Sequence, residues 1–419
     1  MTDALPMDTG ELERLRRRIV RTLVAGVALG STGHIAAVTV ATIVATHLAG
    51  GTTAWSGAPG ATVVLGAAAG AIGLSAVMVR KGRRTGLALG YVVSVIGALV
   101  ATVSIVITSL PLLLVGTVLI GFGNASNQLS RYTAADLVPP DRRASAIGLV
   151  VWGATVGAVV GPNLVAPAGG IATALGLPEL AGPYLVPIVF VGAAAALSFT
   201  LLRPDPYQLA DASSRHDEER PADSTAVSVA SVLARPNVPV AMVALVAGQF
   251  VMVLIMTMTP LHMAEHHHDL AAVGIVISGH TFGMYGLSPV SGRLTDRFGS
   301  IPVILAGLTT VAGASTLPAV APPDGGVLLF LALFLLGYGW NLGYVAGSAL
   351  LTTGLSLAER TRVQGLTDGL IWSSAAVASL GSGVVLAFAG YAILGLMGAA
   401  LVIVPMLVVI ARRSVVAAA

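Results

Sequence analysis

Long apolar runs constrain the fold of this chain more than any other feature of its sequence. A helix that crosses a membrane needs roughly 20 mostly apolar residues, and the 419-residue chain contains twelve such runs. Only 10% of the residues are charged, against about a quarter in an ordinary soluble domain. We therefore predict an all-α polytopic membrane protein. The predicted spans are 19–47, 60–79, 86–107, 111–136, 145–166, 184–202, 238–261, 271–291, 301–320, 326–356, 365–389 and 391–411.

The basic residues predict how these spans are oriented. With twelve helices, all 22 Lys and Arg fall on one side of the membrane, which the positive-inside rule assigns to the cytoplasm. We expect a multi-pass protein of a bacterial-type plasma (inner) membrane with both termini cytoplasmic, and we expect a monomer. Since topology already explains the basic residues, the lipid bilayer is an expected partner and nucleic acid is not.

One extended polar stretch and a weak internal repeat divide the chain. Arg142 and Trp152 align with Arg362 and Trp372 at an offset of 220 residues, and Gly82 aligns with Gly299 at an offset of 217. Parallel six-helix repeats are typical of one transporter architecture, whose substrate site lies near the midplane. We predict two pseudo-symmetric six-helix bundles. The predicted segments are a cytoplasmic N-terminal segment (1–18), a first bundle (19–202), a central linker (203–237), a second bundle (238–411) and a cytoplasmic tail (412–419).

A loop motif at 292–299 indicates a gate. Its glycines, Gly292 and Gly299, permit a tight turn, and Asp296 can face the partial positive charge of a helix N-terminus. The segment Gly292-Arg-Leu-Thr-Asp296-Arg297-Phe-Gly299 resembles the G-x-L-x-D-R-x-G loop motif of the major facilitator superfamily. This resemblance implies that Asp296 and Arg297 help to lock an outward-facing state. The first-half copy has Val79 at the aspartate position, so we expect Asp296 to carry most of the gate.

Further charged and titratable residues lie within the spans. Arg131, Asp136 and Asp368 fall near predicted cytoplasmic helix ends, where we expect the two carboxylates to form a gate with Arg131 or Arg142. His34 and His280 are central candidates for proton coupling, because an imidazole titrates near neutral pH. His34 could equally be a packed, hydrogen-bonded residue.

Methionine and histidine are concentrated around the seventh and eighth predicted spans. Met252 with Met256, and His280 with Met284, are i,i+4 pairs, so each pair shares one helix face. Counted at the helical rise, Met252 and His280 lie about 14 Å below the outer surface. Thioethers suit Cu(I) and imidazole suits copper, zinc or nickel, whereas Met is also a common core filler. Four outer histidines could capture cations or belong to a solvated loop: His262, His266, His267 and His268.

The order of these two motifs closely resembles the copper-importing branch of the superfamily. The resemblance implies that Met252, Met256, His280 and Met284 are metal ligands, with copper as cargo. We expect no tightly bound cofactor. The wider branch is similar to proteins implicated in other cargoes, including riboflavin.

Together these features predict a secondary transporter that works by alternating access and imports copper. The first alternative is a permease or exporter of a small organic molecule, such as a drug, a vitamin like riboflavin, or a metabolite. A non-transporting receptor is the second alternative, although residues 203–237 are too few for a signalling domain. We do not expect an enzyme, because the sequence lacks a G-x-x-x-x-G-K-[ST] nucleotide-binding motif and any recognisable Ser/His/Asp arrangement.

Overall fold

The computed structural model describes residues 9–52, 55, 57–210, 229–266, 270–320 and 326–417, and in these ranges the protein consists of helices joined by turns and loops. No strand occurs in these ranges. The helices are α1 (Thr9–Leu48), α2 (Ala58–Lys81), α3 (Arg83–Val106), α4 (Leu110–Ala135), α5 (Arg143–Asn163), α6 (Val165–Ala174), α7 (Gly182–Leu201), α8 (Val229–Leu233), α9 (Asn237–Met256), α10 (Thr259–Glu265), α11 (Leu270–Thr281), α12 (Ser288–Phe298), α13 (Ser300–Val320), α14 (Gly326–Leu350) and α15 (Leu357–Ala417). A short helical segment also covers 206–210.

The longer helices form twelve membrane crossings. Among the described residues, ten helices are long and apolar enough to span a membrane. An eleventh crossing consists of α11, a π-helical segment (Phe282–Gly286) and α12. The twelfth arises because α15 contains two spans, separated at Gly390, whose φ of 78° and ψ of 170° are not helical. The predicted all-α fold with twelve transmembrane helices is therefore confirmed.

The eighth span is interrupted, which the apolar run at 271–291 does not predict. Pro289 lies in the first turn of α12 and has no N–H to continue the hydrogen-bond ladder of the preceding helix. A π-helical turn precedes this point, as is common at functional sites. The eleventh span also differs from its prediction, because α15 begins at Leu357 rather than at 365.

A capping box explains that early start. The backbone N–H of Ser356 donates to Glu359 Oε2 at 2.8 Å, and the N–H of Glu359 lies 3.4 Å from Ser356 Oγ. This reciprocal arrangement satisfies two donors that a helix N-terminus otherwise leaves unpaired. The helix therefore extends about two turns beyond the apolar run from which the sequence predicts it.

One pair of residues that the sequence repeat aligns has the same backbone conformation. Gly82, between α2 and α3, has φ 87° and ψ 164°, and Gly299, between α12 and α13, has φ 86° and ψ 161°. Residues with a Cβ rarely adopt a φ in this range. The two glycines that the sequence aligns therefore make the same turn in the two halves of the chain.

The halves pack together through small residues. A methyl group at Gly365 of α15 would collide with the Ser75 side chain of α2, and one at Gly148 of α5 would collide with the carbonyl oxygen of Ser288. These contacts lie towards the side of the bundle where α2 ends at Lys81 and α5 begins. We call this side the basic face. Large apolar side chains cover the outside of the bundle, among them Leu380 and Phe388, which are 72% and 89% exposed.

Candidate functional site

A buried ion pair joins the two halves of the protein. Arg131 of α4 lies against Asp368 of α15, with Nη2 2.6 Å from Oδ1 and Nη1 3.2 Å from Oδ2. Their side chains are only 1% and 2% exposed. Two hydrogen bonds in parallel fix the relative orientation of a guanidinium and a carboxylate. This pair therefore holds α4 and α15 in one arrangement.

The surroundings of Arg131 compensate its removal from water. Its guanidinium carbon lies 4.1 Å from the centre of the Tyr132 ring and 4.3 Å from that of Tyr344, at cation–π distance. Nη2 donates to the Tyr132 hydroxyl at 2.8 Å, and Nε donates to Ser348 Oγ at 3.1 Å. A buried charge is tolerable only when its hydrogen-bonding groups are satisfied in this way.

An aromatic cavity of about 40 Å³ adjoins the ion pair. The Trp340 and Tyr344 rings are stacked with centroids 4.5 Å apart. The Trp340 indole N–H donates to Gln249 Oε1 at 2.8 Å, and the Tyr344 hydroxyl donates to Gln128 Oε1 at 2.6 Å. Ligand pockets generally measure about 300–1,000 Å³. This cavity is far smaller, so its wall is closed and leaves no room for a solute of that size. The lining residues are Gln128, Gln249, Met284, Tyr285, Trp340, Tyr344, Asp368, Ile371 and Trp372.

The position of Asp368 differs from the sequence prediction. Because α15 begins at Leu357, Asp368 is eleven residues inside the helix, or about 17 Å along its axis. The prediction that it lies near a helix end is therefore wrong. A carboxylate does reach the interior of the bundle, next to the cavity.

Asp296 lies across the interface between the halves. Its Oδ1 accepts from the backbone N–H of Ala144 at 3.0 Å, and its Oδ2 accepts from that of Ser145 at 2.9 Å. These N–H groups belong to the first turn of α5, where the helix dipole attracts negative charge. Gly292 allows the approach, since a Cβ there would lie 2.6 Å from the Ala144 carbonyl oxygen. Arg297 is exposed, with its guanidinium 5.2 Å from the Phe298 ring centre.

Asp136 has a different partner from those expected. It pairs with the buried Arg83, whose Nη2 lies 2.7 Å from Asp136 Oδ2 and also donates to Gln364 Oε1 at 2.7 Å. Arg142 instead lies at the surface, 4.0 Å from Asp141. The expected pairing of Asp136 with Arg131 or Arg142 is therefore wrong, because Arg83 is turned inward and Arg131 is already bound to Asp368.

The four methionine and histidine candidates lie in different surroundings. Met284 lines the aromatic cavity, whereas His280 faces α14 and places Nδ1 2.7 Å from the carbonyl oxygen of Leu333. Met252 is buried and Met256 is half-buried. Within the described ranges, no three His, Asp or Glu side chains come together as a metal site.

Of the remaining histidine candidates, His262 and His266 lie together and His34 lies elsewhere, in α1. His262 stacks on Tyr391 with ring centres 4.2 Å apart, and its ring lies 4.3 Å from that of His266. His267 and His268 lie outside the described residues. His34, in the middle of α1, is half-buried, and its Nδ1 has no hydrogen-bond partner within the described part of the chain.

Comparison with known proteins identifies the fold. The family model described as Major Facilitator Superfamily matches residues 22–270 and 240–417. This chain belongs to the major facilitator superfamily. It is therefore a multi-pass membrane transporter and not an enzyme, as the sequence predicts. Among solved structures of this fold, the human organic anion transporter MFSD10 has a TM-score of 0.73 at 16% identity, covering 94% of this chain and 99% of its own. A bacterial homologue of the iron transporter ferroportin has a TM-score of 0.72 at 16% identity, with the same coverage.

Three related superfamily members cover most of this chain. The uncharacterized transporters YdeG and YddS of Bacillus subtilis (strain 168) are 37% and 35% identical over 90% and 96% of the chain, and 88% and 92% of their own lengths. The riboflavin transporter RfnT of Brucella anthropi is 30% identical over 78% of the chain and 79% of its own length.

The sequence reasoning missed three features of this superfamily member. The predicted topology treats Arg83 only as one of the 22 basic residues of the cytoplasmic side. Asp205 was assigned to the linker, yet its carboxylate accepts from the backbone N–H groups of Arg83 and Arg84 at 3.0 and 3.1 Å. The aromatic cavity wall was missed as well, although Trp340 and Tyr344 are spaced i,i+4 in the sequence and so share a helix face.

Proposed function

We propose that this transporter carries a small organic solute with a planar, aromatic or heteroaromatic ring system. The observation that carries this proposal is the cavity wall, in which the stacked Trp340 and Tyr344 rings lie beside the Gln128 and Gln249 amides. Aromatic rings favour stacking with other flat rings, and amides hydrogen-bond to polar ring substituents. The relationship to a riboflavin transporter supports the same class of solute, and riboflavin is the first solute to test.

The proposed orientation places the basic face in the cytoplasm. The exposed arginines of this face, including Arg142, Arg293 and Arg412, follow the positive-inside rule. The Asp296 contact and the Arg131–Asp368 pair then seal the cytoplasmic side, as in an outward-facing transporter. A solute far larger than the 40 Å³ cavity binds only after the halves move, as alternating access requires.

Uptake of radiolabelled riboflavin into proteoliposomes tests this function. We expect uptake by the wild-type protein and a reduction of roughly tenfold in Trp340→Phe, which loses the indole N–H and part of the stacking surface. Trp152→Phe is the matched control, because Trp152 is 40% exposed on the outside of the bundle and should leave uptake unchanged. If neither riboflavin nor any other flat heteroaromatic solute is taken up, the proposal is wrong.

Copper is a second candidate cargo, favoured by one observation at His280. Its Nδ1 is held by a backbone carbonyl, while its Nε2 is buried without a hydrogen-bond partner among the described residues. Metal-binding histidines commonly anchor the second ring nitrogen in this way. Uptake of isotopic copper should fall in His280→Gln and Met284→Ala and stay unchanged in His47→Gln, an exposed control. Equal uptake by all variants would exclude this cargo.

A further inference from the structure

A positively charged cleft lies on the basic face and shares no lining residue with the aromatic cavity. It has a volume of about 580 Å³ and opens between α1 and α7. Four arginines dominate its wall, and none of the eight lining residues is acidic. The lining residues are Arg14, Arg17, Arg18, Arg21, Thr22, Ala25, Leu197 and Leu201.

The four arginines share one side of α1. Arg14, Arg17 or Arg18, and Arg21 follow each other at intervals of three or four residues, which places them on one helix face. They cover about 10 Å along the axis. Arg18 Nη2 donates to the backbone carbonyl of Arg203 at 2.6 Å, immediately beyond the end of α7. Arg17 lies 3.6 Å from the exposed Glu13, so three of the four have no acidic partner among the described residues.

The floor of the cleft is apolar and continues into the membrane-facing surface. Ala25 of α1 and Leu197 and Leu201 of α7 form this floor, and Leu201 is 47% exposed. The arginines therefore lie at the boundary of the span, and the apolar side chains extend from them towards the hydrocarbon region. A ligand that fits both parts carries a negative charge at one end and an apolar chain at the other.

We propose that this cleft binds the headgroup of an anionic phospholipid, with the lipid phosphate among Arg14, Arg17, Arg18 and Arg21 and an acyl chain along Leu197 and Leu201. Guanidinium groups bind phosphate oxygens well, and basic pockets between transmembrane helices bind acidic lipid headgroups. The positive-inside rule requires basic residues near a span, but it does not require them to share one helix face above a cleft with an apolar floor.

Native mass spectrometry of the full chain in detergent tests the site. Phosphatidylglycerol and phosphatidylcholine with identical acyl chains are each titrated into three proteins: the wild type, the cleft variant Arg14→Gln/Arg21→Gln and the control variant Arg412→Gln/Arg413→Gln. The control removes two exposed arginines elsewhere on the same face. We expect phosphatidylglycerol to bind the wild type and the control equally, and to bind the cleft variant roughly 30-fold more weakly. Phosphatidylcholine should show no such difference.

A charge-preserving variant and a soluble competitor complete the test. Arg14→Lys/Arg21→Lys should keep most of the binding, which separates loss of charge from a folding defect in the glutamine variant. Glycerophosphoglycerol, the headgroup without acyl chains, should not displace the lipid at equal concentration. Equal weakening in the cleft and tail variants would show a diffuse charge effect and overturn the proposal. Displacement by the free headgroup would make this a site for soluble anions, which would also overturn it.

Discussion

The Asp296 contact makes a quantitative prediction about closure of the basic face. Asp296→Ala removes the acceptor of two backbone N–H groups at the start of α5. A hydrogen bond to a charged group contributes about 1.5–3 kcal/mol, and the low end applies because Asp296 is only half-buried. Two such bonds stabilise the closed arrangement by about 3 kcal/mol. Their loss should therefore shift the closed-to-open equilibrium roughly 100-fold towards opening.

Reactivity of a single introduced cysteine measures this shift. The natural chain has no cysteine, so Ser75→Cys provides a unique thiol. Ser75 is 4% exposed, because it packs against Gly365 of the other half in the closed arrangement. When the Ser75→Cys protein retains Asp296, N-ethylmaleimide should label its thiol slowly. When it also carries Asp296→Ala, the labelling rate should rise by up to about 100-fold.

A matched control removes a carboxylate that does not bridge the halves. Asp141→Ala lies near the start of α5 on the same face, but its carboxylate is 74% exposed and lies 4.0 Å from Arg142. We expect the labelling rate in this variant to equal that of the reporter alone. If Asp296→Ala also leaves the rate within twofold of the reporter, the carboxylate does not hold the face closed and the reasoning fails.

Three further substitutions test the packing and the charges of the bundle. Asp368→Asn leaves Arg131 buried without its counter-charge, which should lower the free energy of unfolding by about 3–5 kcal/mol and abolish uptake in proteoliposomes. Gly66→Ala introduces a methyl group that collides with the Val118 carbonyl, and denaturation should show that the free energy of unfolding falls by about 1–3 kcal/mol. Gly73→Ala places its methyl group in open space and should leave the free energy of unfolding unchanged. Asn237→Ala removes an amide that donates to two carbonyls at the end of α14 and should cost about 1–3 kcal/mol in the same assay.

The fold was predictable because a single physical requirement dominates it. In each crossing, the backbone N–H and C=O groups must form hydrogen bonds with each other inside a helix of about 20 apolar residues. These apolar runs can be read directly from the sequence. The break before α12 was not predictable from hydropathy, since Phe282–Gly286 is as apolar as its neighbours. The start of α15 depends on a local cap at Ser356 and Glu359, which lies outside the apolar run.

The charged part of the site was partly predictable. Ionisable residues within spans are rare and functional by default, which is why Arg131 and Asp368 stood out. Arg83 did not, because it belongs to a short run of basic residues (80–84) that topology already explains. Its burial depends on the turn at Gly82 and on Asp205, which is 122 residues away in sequence. Such long-range contacts cannot be seen in local spacing.

The two buried ion pairs have different consequences for transport. Arg83 begins α3 and Asp136 directly follows α4. Both belong to the same half, so they can stay paired when the halves separate. Arg131 and Asp368 belong to opposite halves, so opening of the basic face must pull them apart and leave Asp368 facing the cavity. A carboxylate whose partner changes between the two states can couple a proton or a charged solute to the movement. We therefore expect coupling to depend on Asp368 rather than on His34 or His280. Replacing either histidine by glutamine should preserve solute accumulation driven by a pH gradient, whereas Asp368→Asn should eliminate it; the reverse result would move the coupling site to the histidines.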